Sequence, residues 1–336
     1  MNVVQEWRRL PGAAMLAIAL VGVALAPASA SAQAAPAAKT VRIGFQKYGT
    51  LVILKARGTL EKRLAAEGVD VRWTEFPAGP QLLEGLNVGS IDFGTVGEAP
   101  PIFAQAAGAD IVYVGHEPPS PGAEALVVQK DSPIRNVADL KGRKVVVNKG
   151  SNAHFLLVKA LEKGGLQYAD IEPVYLAPAD ARAAFERGSV DAWAIWDPFL
   201  AAAQQQIGAR VLTDGRGIVK NHQFYLAARG FAQANPALVH DVLDEIARID
   251  AWGKAHPDEV AAFLGPAIGL DRATAELAIG RYSFGVTPVG DGVLAEQQKI
   301  ADVFTDLKLI PKRIVVRDAA PPTEFAAKPV QPVAVR

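Results

Sequence analysis

The sequence predicts a two-lobed α/β protein in which each lobe is a mostly parallel sheet flanked by helices. Short apolar strands alternate with helix-length periodic stretches through residues 41–213, the pattern typical of parallel sheets covered by helices. Two turn-rich segments, 116–124 and 214–222, interrupt the alternation and suggest two hinge crossings between the lobes. The 336 residues are enough for two lobes of ordinary domain size.

Before the first crossing, strands are predicted where β-branched and apolar residues cluster, and helices where apolar residues recur at helical spacing. The predicted strands are 41–45, 69–76, 91–95 and 111–114, and the helices are 50–66, 79–87 and 98–107. Gly58 interrupts the first helix and Gly68 ends it, since glycine is the usual residue after a helix. Pro80 and Pro100 stand in the first turns of the other two, where proline costs no hydrogen bond.

Between the crossings the alternation restarts. The predicted strands are 125–129, 144–147, 171–176, 192–195 and 210–213, and the helices are 136–140, 152–163, 179–187 and 198–206. After the second crossing, residues 224–228 are predicted to return as a strand to the first lobe. The rest is predicted to be helical, at 236–255, 257–263, 272–278 and 293–305. We therefore expect lobe I to comprise 40–120 with 224–310, and lobe II 121–223.

The two ends of the chain are expected to lie outside the lobes. Residues 1–32 have the organisation of a cleaved secretory signal peptide: Arg8 and Arg9, an apolar stretch at 13–25 and A-x-A cleavage sites. A membrane anchor is the alternative, but the apolar stretch is shorter than the ~20 residues that a span needs. Residues 311–336 are rich in Pro, Ala and Val without a period, and predict a flexible tail.

Composition excludes several classes of function. The 35 acidic residues balance the 35 Lys and Arg, and no basic stripe with aromatics predicts a nucleic-acid partner. The chain has no cysteine, which removes disulfides, thiolate metal sites, Cys nucleophiles and a lipid anchor on cysteine. GxGxxG at a strand–helix junction, the P-loop, HExxH and GxSxG are absent, and the five His have no metal-ligand spacing. The pattern favours binding without chemistry: no enzyme, metal or cofactor.

Function is expected in the loops that follow strands, because ligands of open α/β sheets lie outside the carboxyl ends of the strands. Gln46 follows the first strand and offers hydrogen-bond donors and an acceptor without charge, although it also suits an ordinary turn. Gly79 and Pro80 follow the second strand; small residues admit a ligand to the backbone, but in isolation this stretch favours simple turn chemistry. Gly97 and Glu98 open a helix, where Glu98 is either a stabilising charge or an acceptor for the ligand.

The stretch KVVVNKGSNAHF, residues 144–155, predicts an anion site at the start of a helix. The N–H groups of Ser151, Asn152 and Ala153 and the positive end of the helix suit an anion. Ser151 and Asn152 are also good N-caps, so capping alone could explain them. His154 lies one turn further, and a lone histidine is more often structural than a ligand.

Trp196 and Asp197 follow the fourth predicted strand of lobe II. Trp196 is the better candidate for a cleft wall, and Trp193 is expected in the core. Asp197 is the predicted N-cap of the next helix, with Pro198 in its first position.

Four ordered stretches carry a family resemblance that extends from about residue 40 to about 310. They are RIGFQKYG (42–49), FPAGPQLLEGLNVGSIDFGTVGEAPPIFAQAAG (76–108), KGSNAHFLLVKALEKGGL (149–166) and GSVDAWAIWDPF (188–199). Together they strongly resemble the aliphatic sulfonate-binding proteins of ABC importers. The resemblance implies the type II periplasmic binding fold, with a sulfonate held between the lobes.

The resemblance also implies a site and partners. The implied ligand-binding residues are Gln46, Gly79, Pro80, Gly97, Glu98, Ser151, Asn152, His154, Trp196 and Asp197. The protein would be a periplasmic monomer without a lipid anchor. It would deliver aliphatic sulfonates to a permease in the inner membrane for sulfur acquisition.

Related families leave alternatives open. Binding proteins for taurine, nitrate or another small anion share the superfamily. Sulfinate desulfinases and pyrimidine synthases share the fold, but the first depend on a catalytic cysteine and the second on a His-rich site, and neither is found here. A sensor partner with the same bilobed fold is a third class.

Overall fold

Two five-stranded sheets organise residues 40–326, the part of the chain that the computed structural model describes. The strands are β1 (Thr40–Phe45), β2 (Asp70–Glu75), β3 (Phe93–Gly97), β4 (Ile111–His116), β5 (Glu124–Val128), β6 (Lys144–Val147), β7 (Glu172–Tyr175), β8 (Ala192–Trp196), β9 (Arg210–Asp214) and β10 (Gln223–Ala228). The first sheet has the order β2-β1-β3-β10-β4, and the second the order β7-β6-β8-β5-β9.

Each sheet has one strand that runs against its neighbours. In the first sheet β1 is parallel to β2 and β3, while β10 is antiparallel to β3 and β4. In the second sheet β6 is parallel to β7 and β8, while β5 is antiparallel to β8 and β9. The α/β class and the return of the chain to the first sheet through β10 are therefore confirmed.

Helices cover both sheets. They are α1 (Thr50–Arg57), α2 (Thr59–Ala65), α3 (Gly79–Asn87), α4 (Pro100–Ala106), α5 (Asn152–Lys163), α6 (Pro178–Glu186), α7 (Phe199–Ile207), α8 (Arg229–Ala234), α9 (Pro236–Ala255), α10 (Pro257–Ile268), α11 (Arg272–Ile279), α12 (Asp291–Asp306) and α13 (Thr323–Ala326). Gly58, at φ +62°, separates α1 from α2. α10 continues past its predicted end at residue 263 and through Pro266, because Leu264 and Ile268 are buried and their packing outweighs the proline.

The two chain crossings run side by side between the sheets. Asn221 in the second crossing donates from Nδ2 to the carbonyl of Ser120 in the first at 2.9 Å, and Ser120 N donates to Asn221 O at 3.3 Å. Asn221 has φ +54°, a conformation that Asn tolerates better than most residues. This pairing makes the crossings a natural hinge. The lobe boundaries at 120/121 and 223/224 remain predictions.

The C-terminal segment differs from the predicted tail up to residue 326. Val316, Ala319 and Phe325 are buried, and Val316 N donates to Oε1 of Gln298 at 2.9 Å. Periodicity did not reveal this packing because isolated apolar side chains in loops make the contacts. Residues 327–336 and the predicted signal at 1–32 lie outside the described residues. Within 40–326, no helix combines the length and the apolar character needed to cross a membrane.

Candidate functional site

A cavity of about 210 Å³ lies between loops from the two sheets. The loops after β1 and at the end of β2 form one side, and those after β7 and at the end of β8 form the other. Its lining residues are Gln46, Lys47, Tyr48, Glu75, Phe76 and Pro77 on the first side and Pro178, Ala179, Trp196, Pro198 and Phe199 on the second. The cavity therefore lies at the carboxyl ends of strands, where the sequence predicts function.

The walls of this interlobe cavity are mainly aromatic and proline side chains. Trp196 meets Phe199 edge to face with ring centroids 6.0 Å apart, and Tyr48 meets Tyr282 in the same way at 5.1 Å. Gln46 is positioned by its amide, which donates from Nε2 to the carbonyl of Thr95 at 3.0 Å. The predicted residues Gln46 and Trp196 thus share one cavity.

Next to the cavity, a polar cluster joins the two sheets. We define the interlobe polar cluster as Glu98, Glu124, Asn152 and Asn221. Nδ2 of Asn152 donates to Oε2 of Glu124 at 2.6 Å and to Oδ1 of Asn221 at 3.0 Å. Glu124 pairs with Trp196 across β5 and β8, which places the cluster beside the cavity wall. Glu124 and Asn221 were not predicted as site residues.

Gly97 brings the end of β3 against the start of α5. A Cβ atom on Gly97 would stand 2.8 Å from Cγ of Asn152, so only glycine permits this approach without displacement. The predicted residues Gly97, Glu98 and Asn152 therefore meet where the two sheets approach each other.

Both carboxyl groups of the cluster are buried, with residue exposures of 2% for Glu98 and 0% for Glu124. Oε2 of Glu98 accepts from the backbone N–H of His222 at 3.2 Å. Within residues 40–326, the Oε1 atom of each carboxyl has no hydrogen-bond partner. Burial raises the pKa of Glu98 to about 7. Burial, with the nearby charge of Glu98, raises the pKa of Glu124 well above its ordinary value. A neutral form of both groups is therefore accessible at neutral pH.

The turn before α5 combines a capping serine with unpaired backbone donors. Ser151 is the N-cap: its Oγ accepts from His154 N at 3.3 Å and donates to the carbonyl of Asn148 at 2.7 Å. In the part of the chain described, the backbone N–H groups of Asn152 and Ala153 have no acceptor. Capping therefore accounts for Ser151 and leaves two donors for a ligand.

His154 lies below this turn among aromatic rings and does not line the interlobe cavity. Its Nδ1 accepts from the backbone N–H of Gly150 at 3.2 Å, so Nε2 carries the proton toward the hydroxyl of Tyr168 at 2.8 Å. The rings of Phe304 and Phe103 lie 5.4 Å and 6.2 Å away. Burial, with the charge of Lys149, lowers the pKa of His154 to about 3. The histidine supports the turn as a neutral side chain.

Asp197 is fully buried at the end of β8 and ties two parts of the chain together. Its Oδ1 accepts from Ala201 N at 3.0 Å, and its Oδ2 lies 3.4 Å from the guanidinium of Arg281. Burial raises its pKa to about 7, although Arg281 opposes the shift. The predicted N-cap position is wrong by one residue: α7 begins at Phe199, and Pro198, which follows a cis peptide bond, is the N-cap.

Gly79 and Pro80 lie apart from the interlobe cavity. A Cβ on Gly79 would stand 2.7 Å from Cγ of Pro100, so this glycine allows α3 to pack on α4. Pro80 lines a separate surface groove of about 160 Å³ with Pro100 and Phe103.

Comparisons of the sequence and the fold with known proteins identify the family of this chain. The family model described as NMT1/THI5 like matches residues 64–260. Over 318 residues the chain is 46% identical to a protein of Escherichia coli (strain K12) with the provisional name aliphatic sulfonates-binding protein, covering 94% of this chain and 98% of that one. The alkanesulfonate-binding protein SsuA from Xanthomonas axonopodis pv. citri, solved bound to MOPS, superposes with a TM-score of 0.81 at 43% identity, over 85% of this chain and 99% of that chain.

The chain belongs to the aliphatic sulfonate-binding protein family. A second solved structure, the periplasmic aliphatic sulphonate binding protein SsuA from Escherichia coli, agrees, with a TM-score of 0.75 and 46% identity over 87% of this chain and 92% of that chain. The family resemblance and the fold expected from four sequence stretches are therefore confirmed. The assignment of individual ligand contacts in this sulfonate-binding family member remains a prediction.

Several cavity residues were not predicted. Phe76, Pro77, Pro178 and Phe199 follow or end strands, so the rule that pointed to Gln46 could also have found them. Glu124 opens the apolar strand β5, and Asn221 is one polar residue in a turn-rich crossing. No local signal distinguished these two, because their role depends on the approach of the two sheets.

Proposed function

We propose that the protein is the extracytoplasmic solute-binding component of an ABC importer. It captures aliphatic sulfonates between its lobes and delivers them to a permease in the inner membrane for sulfur acquisition. The observation that carries the proposal is an aromatic cavity with a polar cluster and two free backbone donors near its Trp196 wall. It occurs in a chain 46% identical to a relative named for aliphatic sulfonates.

The polar end of the site suits a sulfonate. This group is a permanent anion with three acceptor oxygens and no proton to donate. The free N–H groups of Asn152 and Ala153 and the positive end of α5 can satisfy these oxygens without a full counter-charge. A bidentate Arg would hold the anion more strongly and would hinder its release at the permease.

The apolar part of the cavity suits an alkyl tail. Tyr48, Phe76, Trp196 and Phe199 offer broad surfaces with little directional demand. A hydrophobic pocket discriminates by only about 1–3 kcal/mol for each methylene, so tails of several lengths should bind.

The proposal includes transport without catalysis, metal or cofactor, in a monomer. It places the mature protein in the periplasm after cleavage of the signal at 1–32, without a lipid anchor. The family relation to a periplasmic protein supports this location. Among residues 40–326, no group of three His, Asp or Glu side chains could hold a metal ion.

A ligand panel tests the function. Thermal shift and calorimetry would compare ethane-, butane- and hexanesulfonate with taurine, sulfate and nitrate. We expect alkanesulfonates to stabilise the protein, by about 2.7 kcal/mol at 100 times the dissociation constant. Stabilisation by nitrate or taurine with no response to any alkanesulfonate would favour the rival small-anion function.

Matched tryptophan variants test whether the sulfonate binds in the interlobe cavity. Trp196→Ala removes a cavity wall and should raise the dissociation constant for hexanesulfonate at least about tenfold, equivalent to about 1.4 kcal/mol. Trp252→Ala is the control, because Trp252 lies on α9 beside Arg57, with 3.9 Å between the ring centroid and the guanidinium carbon. Equal effects of the two substitutions on affinity would exclude the interlobe cavity as the binding site.

A further inference from the structure

In both Glu98 and Glu124, only one of the two carboxyl oxygens accepts a hydrogen bond from the residues that the structure describes. In each carboxyl Oε2 accepts an N–H group, from His222 N at 3.2 Å or from Asn152 Nδ2 at 2.6 Å. In each, Oε1 is buried without a partner in the described part of the chain. An ionised carboxylate has two equivalent acceptor oxygens, whereas a neutral carboxylic acid has one acceptor and one O–H donor. The pattern fits two neutral acids whose O–H groups await an acceptor.

The charges around both groups do not favour ionisation. Within residues 40–326, neither carboxyl forms an ion pair with Lys or Arg. The charge of Glu98 raises the pKa of Glu124, and the charge of Glu296 raises the pKa of Glu98. The charge of Lys220 lowers the pKa of Glu98, but Lys220 is also paired with Glu296. The titratable groups facing the pair are Tyr48, Lys220, His222 and Glu296.

The two carboxyl groups also lie where an anion would be held. Asn152 contacts Glu124 through its side chain and is one of the two residues with a free backbone N–H at the start of α5. Glu98 directly follows Gly97, which packs against Asn152. The acids and the free N–H groups therefore lie close to one another, beside the cavity wall formed by Trp196, the strand partner of Glu124.

We propose, on the basis of the sulfonate-binding function above, that Glu98 and Glu124 bind as neutral acids that donate their O–H groups to sulfonate oxygens. An ionised carboxylate at the same place would repel the anion and accept nothing from it, because a sulfonate has no proton to give. The two acids thus provide donors to the anion without adding a permanent positive charge.

Proton uptake on binding follows from this assignment. Because the pKa of Glu98 is about 7, most molecules carry its proton at pH 6 and few carry it at pH 8. Above pH 7 a proton must be taken up as the sulfonate binds, so affinity falls as pH rises. Burial also raises the pKa of Glu124 well above its ordinary value, which favours the neutral form of this second acid.

Calorimetry with butane-1-sulfonate, which has no amine, tests the proposal on the full-length protein. Between pH 6 and pH 8 we expect the affinity to fall about tenfold. At pH 7, measurement in two buffers of different ionisation enthalpy should show uptake of about half a proton per ligand. Glu98→Gln retains an N–H donor but cannot titrate, so its affinity should depend less on pH than that of the wild-type protein. Glu162→Gln, on the exposed far end of α5, is the control and should keep the wild-type pH profile.

The possible outcomes separate this inference from the proposed function. Butanesulfonate binding with constant affinity from pH 6 to pH 8 and no proton uptake would overturn the neutral-acid role and leave sulfonate binding intact. Failure of butanesulfonate to bind at any pH would overturn the proposed function itself. Affinity for taurine that rises with pH would show an ionised Glu98 that accepts from the amine, and would also overturn the inference. If Glu98→Gln does not fold, proton uptake by the wild-type protein still decides whether the acids bind in their neutral form.

Discussion

At the residue scale, His154 is a histidine that the fold holds neutral. It accepts from Gly150 N–H and faces aromatic rings, and its pKa is about 3. The unfolded chain binds a proton at this residue below about pH 6.5, whereas the folded chain does not until near pH 3. Stability from this group is therefore fully present above pH 6.5 and is lost as pH falls.

His154→Gln tests this assignment. Between pH 7.5 and pH 5.5 the wild-type protein should lose about 1.4 kcal/mol of unfolding free energy through His154. The variant should be less stable at pH 7.5, because the contacts with Gly150 and Tyr168 change, but should lack this part of the pH dependence. Urea denaturation at several pH values measures both effects. Equal slopes in the two proteins would contradict the neutral buried histidine.

At the element scale, the start of α5 combines two roles that sequence reasoning kept as alternatives. Ser151 caps the helix, and the N–H groups of the next two residues remain free. A cap and an anion site can coexist, because the capping oxygen satisfies the third donor and not the first two.

Ser151→Ala tests both roles of this helix start. Loss of the cap should lower the free energy of unfolding by about 1 kcal/mol. Sulfonate affinity should also fall, because the turn that Ser151 stabilises orients the free N–H groups. Asp271→Ala is the matched control: Asp271 caps α11 through Thr274 N at 2.9 Å, so it should cost similar stability without a change in affinity. Chemical denaturation and calorimetry on both variants measure the two quantities, and unchanged affinity in Ser151→Ala would remove the turn from the site.

The elements were largely predictable from the sequence, and the site only in part. Apolar periodicity with end signals predicted the bounds of α5 and α9 as the structure has them. The rule about strand ends led to Gln46 and Trp196 on the cavity. It could not predict that Asn152 would bond Glu124 and Asn221, because those contacts depend on the distance between two sheets that local patterns do not encode. Burial against Pro100 likewise keeps Gly79 from the cavity.

At the scale of the whole molecule, function depends on how closely the two lobes approach. In this structure Gly97 of β3 packs on Asn152 of α5. The guanidinium of Arg281, which follows α11, lies 3.4 Å from the carboxyl group of Asp197, which follows β8. The paired crossings at Ser120 and Asn221 provide the place about which the lobes can open. We expect ligand to favour the closed arrangement, because it contacts both sides of the cavity.

Gly97→Ala tests closure. The added methyl group would stand 2.8 Å from Asn152, so the lobes should close less tightly and sulfonate affinity should fall at least about tenfold. Small-angle X-ray scattering should show compaction on adding hexanesulfonate to the wild-type protein and less compaction in the variant. Gly230→Ala, which adds its methyl group where no atom lies within 4 Å, should behave as wild type. Full compaction of Gly97→Ala would show that this contact does not limit closure.

We propose that a sulfonate lies between the lobes, with its anionic group at the interlobe polar cluster and its tail in the aromatic cavity. A crystal structure of the protein with hexanesulfonate tests it most directly. We expect sulfonate oxygens within hydrogen-bond distance of Asn152 N and Glu98 Oε1, and a tail against Trp196. Hexanesulfonate bound elsewhere, such as in the groove lined by Pro80 and Phe103, would exclude the interlobe cavity as the sulfonate site.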